Sequence, residues 1–283
     1  MVGSVEPSAE GDGLGTWITH LRLAERLLES FPDLDETAFA FGNLAPDSGL
    51  PNKDRTEFLP PKQITHFLGP NGGWQGARDL DFYRQHLRGL AVNDDRKRYS
   101  FLLGYFAHLV CDHLWVVRLN PCFKRDHRKF YQLDRATFWR KMKEDWYDLD
   151  FRYLGMSEAT LFHRVFLPAE LPQLPHLPFI PLASMRQQMQ FIRKFYTAPS
   201  SHVVERTYPY LNEPNLSRFI SDTAGAIDHI VDILSASEVP AGLGSSLQLL
   251  PADLIAPYRF PLGDPVAALD EPTPESAARA REP

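Results

Sequence analysis

The segment that most restricts the fold is residues 96–119, which carries apolar side chains around most of a helical circumference. Phe101, Tyr105, Leu109 and Trp115 are among the apolar residues that recur there at helical spacing. A helix that is apolar on nearly all sides must be covered on all sides, so it belongs at the centre of a bundle. The sequence therefore predicts that other helices pack around this segment.

The apolar spacing elsewhere is also mainly helical, with little of the alternating pattern that half-buried strands show. Further helices are predicted at residues 16–30, 37–41, 81–92, 134–153, 182–196 and 216–236. Residues 42–48, which contain Gly42 and Pro46, are predicted to form an ordered turn. We therefore predict an all-α fold, a multi-helix bundle.

The 283 residues suit one large domain. We expect a flexible leader at residues 1–15, a single all-α domain at 16–240, and a Pro/Ala-rich, disordered tail at 241–283. The leader has neither the basic nor the apolar region of a secretion signal, and no apolar run reaches the roughly 20 residues of a membrane span. A cytoplasmic location without a transmembrane segment is the resulting expectation.

The net charge and the number of cysteines exclude some classes of function and some kinds of metal site. The formal net charge of −6 argues against binding to nucleic acids by bulk electrostatics. Two cysteines cannot form a disulfide framework or a thiolate zinc cluster, whereas ten histidines are present. Any metal site must therefore use imidazole and carboxylate ligands.

Within the central helix, His108 and Asp112 are four residues apart and so lie on the same face. A buried carboxylate beside a buried imidazole costs several kcal/mol unless both have partners, and a bound dication would satisfy both. A His–Asp hydrogen bond between helices is the alternative explanation for this pair.

Three further residues are candidates, each with an ordinary alternative. His20 lies beside the apolar seam of the first helix, where a hydrogen-bonded core histidine is common. Asp47 follows Pro46 in the predicted turn, where an Asx-turn or a helix cap is common. His66 precedes a Gly-rich break and by itself says nothing. A metal site requires that the bundle bring these segments together.

Four motifs in order carry a family resemblance. They are WITHLRLAERLL at 17–28, FGNLAPDS at 41–48, ITHF at 64–67 and FLLGYFAHLVCDHLW at 101–115. Together they resemble the zinc-dependent phospholipase C family, which is related in fold to zinc-dependent single-strand nucleases. The resemblance spans residues 17–153.

The resemblance implies a helical bundle whose core holds a zinc cluster that hydrolyses phosphodiester bonds. By position, His20 resembles a ligand of one zinc ion, and Asp47, His66 and His108 resemble ligands of a second. Asp112 resembles the carboxylate that bridges the two ions, and Asp47 could also orient the attacking water. The implied cofactor is Zn²⁺, as two ions.

The chain departs from the family pattern at a third zinc site. The family binds metal through a mature N-terminal Trp, whereas Trp17 is internal. It also places a His five or six residues after the bridging Asp, where this chain has Val117 and Arg118. A later His-x-x-x-Glu pair is missing from residues 134–153. Asp145, at the edge of an apolar stripe there, is the best extra ligand.

For several other polar residues, the sequence allows either a functional role or an ordinary place on the surface or in the core. His113 and His127 are weaker ligand candidates than Asp145. Lys141 and Lys143, with the basic run at 124–129, could form a rim that attracts phosphate or an ordinary solvated surface.

We thus predict a metal-dependent hydrolase that cleaves a phosphodiester, of a phospholipid or of another small molecule, by a zinc-activated water. The alternative is a helical scaffold of the same fold that binds metal without turnover, since the third-site ligands are missing. A phosphohydrolase of the His-Asp doublet type is less favoured, because the chain has no His-Asp dipeptide.

Overall fold

The computed structural model describes residues 14–53, 57–69, 73, 76–170, 177–199 and 202–265. These residues form eleven α-helices and one two-stranded antiparallel sheet. The strands are β1 (Leu50–Pro51) and β2 (Phe58–Leu59). The helices are α1 (Trp17–Ser30), α2 (Glu36–Gly42), α3 (Lys62–Thr65), α4 (Asp79–Phe82), α5 (Arg96–Leu114), α6 (Asn120–Asp126), α7 (Arg128–Leu133), α8 (Arg135–Met156), α9 (Leu182–Thr197), α10 (Glu213–Ala236) and α11 (Ala252–Ile255). The predicted all-α fold is confirmed.

The long helices begin at side chains that accept hydrogen bonds from the free N–H groups of the first turn. Thr16 caps α1, Asp95 caps α5, Asp134 caps α8 and Asn212 caps α10, in each case by accepting from the backbone N–H three residues later. Ser, Thr, Asp and Asn are the residues that favour this position. This local chemistry explains why the predicted and observed starts of these helices differ by at most a few residues.

Helix α5 lies at the centre of the bundle. Every residue from Ser100 to Leu114 is buried, as expected for a helix that is apolar on nearly all sides. A single π-helical segment, Trp115–Leu119, joins α5 to α6.

The continuous helical stretch Arg96–Asp126 is long and apolar enough to cross a membrane. No other helix in the described part of the chain meets both conditions. This corrects the expectation that no segment reaches that length. However, 94% of its most apolar window is buried inside the fold. Contact with the surrounding helices therefore accounts for its apolar character.

Two glycines allow α2 to lie against α5 at very short range. A Cβ atom at Gly104 would be 2.4 Å from the carbonyl oxygen of Phe39, and one at Gly42 would be 2.1 Å from the carbonyl oxygen of Phe101. Both contacts are far below van der Waals distance, so neither position accepts a larger residue without movement of the helices. The glycine pair thereby sets the distance between α2 and α5.

Helix α1 packs against α10, far along the chain. The guanidinium of Arg22 forms an ion pair with Glu213 at the first turn of α10 and donates a hydrogen bond of 3.0 Å to Ser217. A carboxylate at the first turn also suits the positive end of the helix dipole. This contact holds the helix that carries His20 against the C-terminal part of the bundle.

The structure differs from the expectation of a disordered tail for residues 241–265. Leu247, Leu250, Tyr258 and Leu262 are buried in the core, and the backbone N–H of Ser246 donates to buried Asp79 at 2.7 Å. These apolar residues have no helical period, so the sequence pattern did not reveal that they fill grooves between helices. The rest of the predicted tail, 266–283, and the leader residues 1–13 lie outside the described residues.

The remaining differences concern helix ends and short elements. The predicted helix at 81–92 is the shorter α4, followed by a π-helical turn at Tyr83–Leu87. It ends before Gly89, whose φ of 78° lies in the left-handed region that glycine adopts easily. Helices α6 and α7 and the strands were not predicted, because elements of two to seven residues carry too little periodicity.

Candidate metal centre

Four segments bring five predicted residues to one place. His20 comes from α1, Asp47 from the 3₁₀ turn Ala45–Asp47, and His66 from the residue after α3. His108 and Asp112 both come from the buried face of α5. The structure therefore gathers five of the six residues predicted to bind metal.

Helix α5 supplies the fixed part of this centre. Nε2 of His108 lies 3.3 Å from Oδ2 of Asp112, as the four-residue spacing predicts. Nδ1 of His108 lies 2.7 Å from the carbonyl oxygen of Asn43. Because a carbonyl oxygen only accepts, Nδ1 carries a proton there, and in the neutral imidazole Nε2 offers its lone pair toward the centre. A backbone carbonyl that orients a metal-binding histidine in this way is a frequent arrangement.

His66 is held by the turn that follows α3. Tyr105 of α5 donates a hydrogen bond to the carbonyl oxygen of Thr65, and the hydroxyl of Thr65 lies 2.9 Å from Nδ1 of His66. Phe67 has a φ of 51°, which is uncommon for a residue other than glycine. This turn directs His66 inward, where its Nε2 lies 3.2 Å from Nε2 of His108 and 3.5 Å from Oδ2 of Asp112.

His20 stacks on His108, with ring centroids 3.8 Å apart and planes inclined by 15°. Its Nε2 lies 3.3 Å from Oδ1 of Asp112. The two oxygens of Asp112 thus face different histidines, Oδ1 toward His20 and Oδ2 toward His66 and His108. That is the arrangement expected of a carboxylate shared between two sites.

Asp47 marks the side of the centre that is open to solvent. Its side chain is 13% exposed, whereas those of His20, His66, His108 and Asp112 are at most 2% exposed. One oxygen, Oδ1, lies 3.5 Å from Nε2 of His66 and 3.6 Å from Nζ of Lys62. Among the five gathered residues, Asp47 is therefore the one that solvent reaches most.

The donor atoms have the spacing that zinc requires. Two ligand atoms about 2.0–2.1 Å from a tetrahedral zinc ion lie about 3.3–3.4 Å apart. The three pairwise distances among His66 Nε2, His108 Nε2 and Asp112 Oδ2 are 3.2, 3.3 and 3.5 Å. Two groups, His20–His108–Asp112 and Asp47–His66–His108, each have donor atoms within 4.8 Å of one another.

Unsatisfied buried atoms also fit a metal. Nε2 of His20 and Oδ1 of Asp112 are buried and make no hydrogen bond of good geometry to any described residue, although they are only 3.3 Å apart. A buried, unpaired polar atom costs about 1–3 kcal/mol. A cation between these two atoms would remove that cost, and nitrogen with oxygen is a donor set that Zn²⁺ accepts.

Residues 19–132, about two fifths of the chain, match the family model described as zinc dependent phospholipase C. This region is similar to the zinc-dependent phospholipase C family. The match contains all five of the gathered residues. No curated protein and no solved structure matches the chain. The family match and the two His/Asp groups together support a zinc-dependent hydrolase of the phospholipase type with an all-α fold.

The electrostatics of the candidate metal centre keep its carboxylates ionised. Burial alone would raise the pKa of Asp112, but the neighbouring imidazoles of His108 and His20 hold it well below its usual range. Burial also opposes ionisation of Asp47, whose pKa is lowered by Lys62 and the nearby histidines. Burial and the charge of His108 lower the pKa of His20. Burial lowers the pKa of His108, but Asp112, Asp47 and the carbonyl of Asn43 outweigh this effect, so the pKa is raised. Ionised carboxylates beside imidazole nitrogens are a donor set that a dication accepts.

Asp145, the extra ligand proposed from the sequence, does not join the centre. Its Oδ2 accepts hydrogen bonds from the backbone N–H groups of Tyr210 (2.8 Å) and Leu211 (3.1 Å), and its Oδ1 lies 2.7 Å from Arg206. The carboxylate therefore anchors the chain before α10. The helical wheel placed Asp145 correctly at the edge of the core, but only the tertiary structure shows which neighbour it meets.

Arg118, a departure from the family pattern, and His113, a weaker ligand candidate, also have structural contacts. Arg118 forms an ion pair with Asp222 at 3.1 Å and covers the ring of Tyr258. His113 lies 3.1 Å from the hydroxyl of Ser245, outside the two His/Asp groups. The described residues contain no third His/Asp group of this kind.

Three contributors to the centre were missed in the sequence. They are the carbonyl oxygen of Asn43, the hydroxyl of Tyr105 and the ammonium of Lys62. A backbone carbonyl has no sequence signal of its own, although Asn43 lies within the turn that was singled out. Tyr105 could have been found one turn before His108, whereas Lys62 has no periodicity that separates it from surface lysines.

A buried carboxyl group next to the centre makes stability depend on pH. Asp150 of α8 accepts hydrogen bonds from Thr16 (2.8 Å) and Tyr196 (2.6 Å), and burial raises its pKa to about 7. Because the folded-state pKa is raised, the stability that protonated Asp150 contributes is lost as the pH rises through about 7. We expect the free energy of unfolding to fall by about 1–2 kcal/mol more between pH 5.5 and 8 in the wild type than in Asp150→Asn.

Urea unfolding at the two pH values measures this difference. Equal pH dependence in both proteins would mean that Asp150 is ionised in the fold. Other raised carboxyl groups, such as Asp79, are present in both proteins, so their contribution cancels.

Proposed function

We propose that this protein hydrolyses a phosphodiester bond with the help of Zn²⁺, held as two ions. The observation that carries the proposal is the shared position of Asp112. One of its oxygens faces His20, and the other faces His66 and His108. In this proposal Asp47, His66, His108 and Asp112 hold one ion, and His20 and Asp112 contribute to the second.

The residues present fit the chemistry of such a reaction. Bound zinc would lower the pKa of a water molecule toward neutrality and offset the negative charge of the phosphoryl group. Asp47, at the solvent-facing edge, would accept a hydrogen bond from that water and orient it. Two of the buried histidines would be held in place through Nδ1, which in His108 lies 2.7 Å from the carbonyl oxygen of Asn43 and in His66 lies 2.9 Å from the hydroxyl of Thr65.

The family resemblance suggests the class of substrate but does not identify the particular phosphodiester. Phospholipids are the substrates of phospholipases C, so a lipid or another small-molecule phosphodiester is proposed. The five proposed ligands come from four segments that only the folded chain unites. A cytoplasmic location is kept as a proposal from the sequence.

Hydrolysis of bis(4-nitrophenyl) phosphate tests the proposal. We expect the purified protein to contain zinc by inductively coupled plasma mass spectrometry and to release nitrophenol. A strong chelator should abolish turnover, and added Zn²⁺ should restore it. His229→Ala, which alters an exposed histidine on α10, is the control for loss of a histidine in general.

The alternative is a metal-binding scaffold without turnover. Two observations favour it: Arg118 and Asp145, which correspond to positions considered for a third ion, are engaged in ion pairs. Stoichiometric zinc without chelator-sensitive hydrolysis of any phosphodiester would decide for this alternative. Absence of zinc from both the purified and the reconstituted protein would overturn both functions.

A further inference from the structure

We infer that a cavity on the far side of α5 from the metal centre binds a neutral bicyclic aromatic molecule that carries a hydroxyl group. Three elements of the fold enclose this cavity: the π-helical turn Tyr83–Leu87, helix α5, and the end of helix α10. The cavity contains none of the predicted metal ligands. It is therefore a second site, and its ligand does not depend on the proposed hydrolysis.

Helix α5 turns one face to the cavity and another face to the metal centre. Tyr99, Leu103 and Phe106 line the cavity, and their spacing of four and three residues puts them on the same face of the helix. At about 100° of rotation per residue, His108 lies about 140° around the helix from Leu103 and about 160° from Phe106. The body of α5 thus separates the cavity from the candidate metal ligands.

The size of the cavity suits a ligand of two fused rings. Its volume is about 290 Å³, whereas an apolar cavity of about 150 Å³ in another protein holds one benzene molecule. Two of its lining residues, Gly89 and Ser235, are exposed, so solvent reaches it. A ligand can therefore enter while the helices stay in place.

Aromatic rings form a large part of the cavity wall. The rings of Tyr83 and Phe106 have centroids 6.1 Å apart and planes inclined by 51°, and Tyr99 adds a third ring. Leucine and valine side chains supply most of the remaining wall. Aromatic molecules pack well against such rings in edge-to-face or offset arrangements. The wall therefore favours a flat aromatic ligand.

The charge of the lining selects against ionised ligands. Every described residue that lines the cavity is uncharged. Arg88 lies between two lining residues in the sequence, but its guanidinium forms an exposed ion pair with Glu238 at 3.1 Å. A carboxylate or an ammonium that entered the cavity would lose its hydration without gaining a counter-charge, which is costly. A neutral molecule does not meet this penalty.

Two phenol groups offer hydrogen bonds to a hydroxyl on the ligand. The hydroxyl of Tyr83 donates to the carbonyl oxygen of Leu234 at 3.1 Å, so its own oxygen is still able to accept. The hydroxyl of Tyr99 makes no hydrogen bond to a described residue, and burial raises its pKa. A partly buried hydroxyl without a partner in the protein gains a hydrogen bond from a ligand that pairs with it.

Three naphthalene compounds that differ in one substituent test the chemical class of the ligand. 2-Naphthol, naphthalene and 2-naphthoate are each titrated calorimetrically into the purified full-length protein at pH 7. We expect a dissociation constant on the order of 100 µM for 2-naphthol. Naphthalene should bind about fivefold more weakly because it lacks the hydroxyl, and 2-naphthoate at least about tenfold more weakly because it is charged. Binding of 2-naphthoate as tight as that of 2-naphthol, or no binding below about 1 mM, would overturn the inference.

Substitutions in the wall then locate the ligand. Val231 lines the cavity from α10 and is half-buried, so Val231→Phe fills the space and should abolish binding of 2-naphthol. Val203→Phe makes the same change at a residue that is 60% exposed and outside the lining, and it should bind like the wild type. Equal affinities of these two variants would show that 2-naphthol does not occupy the cavity.

The role of the Tyr99 hydroxyl is measured by the preference for 2-naphthol over naphthalene. In Tyr99→Phe this preference should fall from about fivefold to less than about twofold, because only one hydroxyl is lost and the ring stays. Tyr131→Phe, outside the lining, removes a hydroxyl elsewhere and should keep the full preference. A full preference in Tyr99→Phe would mean that this hydroxyl does not recognise the ligand.

A variant of the metal centre separates this site from the proposed function. Asp112→Asn should bind 2-naphthol as tightly as the wild type, because Asp112 lies on the other face of α5. Loss of binding in Asp112→Asn, with binding retained in Val231→Phe, would place the ligand at the metal centre and overturn the inference. A protein that binds 2-naphthol in the cavity but hydrolyses no phosphodiester would contradict only the proposed function.

Discussion

Asp112→Asn is expected to lower the affinity for zinc at least about 100-fold, which corresponds to about 2.7 kcal/mol. The change keeps the size of the side chain but removes its charge and replaces one of two oxygens with an amide nitrogen, which does not bind metal. Because the oxygens of Asp112 face His20 on one side and His66 and His108 on the other, both proposed ions lose a ligand. Hydrolysis of bis(4-nitrophenyl) phosphate should fall about 1000-fold.

Competition with a chromophoric chelator measures the zinc affinity, and initial rates measure the activity. Asp232→Asn, on the exposed side of α10, makes the same chemical change away from the centre and should match the wild type in both. Zinc binding by Asp112→Asn as tight as that of Asp232→Asn would show that the carboxylate does not bind metal. The unfolding transition of each variant confirms that the compared proteins are folded.

The second large effect is expected at Gly104, where alanine should lower the free energy of unfolding by about 3 kcal/mol. The added Cβ would meet the carbonyl oxygen of Phe39 at 2.4 Å and the backbone nitrogen of Asn43 at 3.0 Å. These contacts are to backbone, so α2 must move away from α5. Such a movement also carries the carbonyl of Asn43 away from His108, and zinc affinity should decrease with stability.

Gly225→Ala provides the matched control in the middle of α10. No described atom lies within 4 Å of the position that its Cβ would take, so this substitution should raise stability by up to about 1 kcal/mol through helix propensity. Urea unfolding followed by circular dichroism compares the two variants. If Gly104→Ala were as stable as Gly225→Ala, the close approach of α2 and α5 would not be required.

The sequence predicted the helices best where strong local signals exist. The mostly apolar circumference of α5 predicted its central position. The structure adds that Thr16, Asp95 and Asp134 cap three helices within one residue of their predicted starts. Those signals act within a few residues, so they can be read directly. The packed segment 241–265 was missed because Leu247 and Tyr258 fill grooves formed by distant helices.

The same division applies to the candidate site. His108 and Asp112 were predicted to face each other, because four residues of helix fix their separation, and the structure places Nε2 and Oδ2 3.3 Å apart. Asp145 was predicted from its place on the helical wheel. A helical wheel shows that a residue faces inward without showing what it meets, and Asp145 meets backbone N–H groups and Arg206.

By itself the sequence determined the residue types of this centre and the fixed His108–Asp112 pair, since both depend on composition and on helix geometry. Only the tertiary structure decided which other residues join the pair. The stacking of His20 on His108, the carbonyl of Asn43 on Nδ1, and Lys62 beside Asp47 each unite segments 15 to 88 residues apart. Contacts between distant segments depend on how helices pack, and short-range periodicity carries no information about that packing.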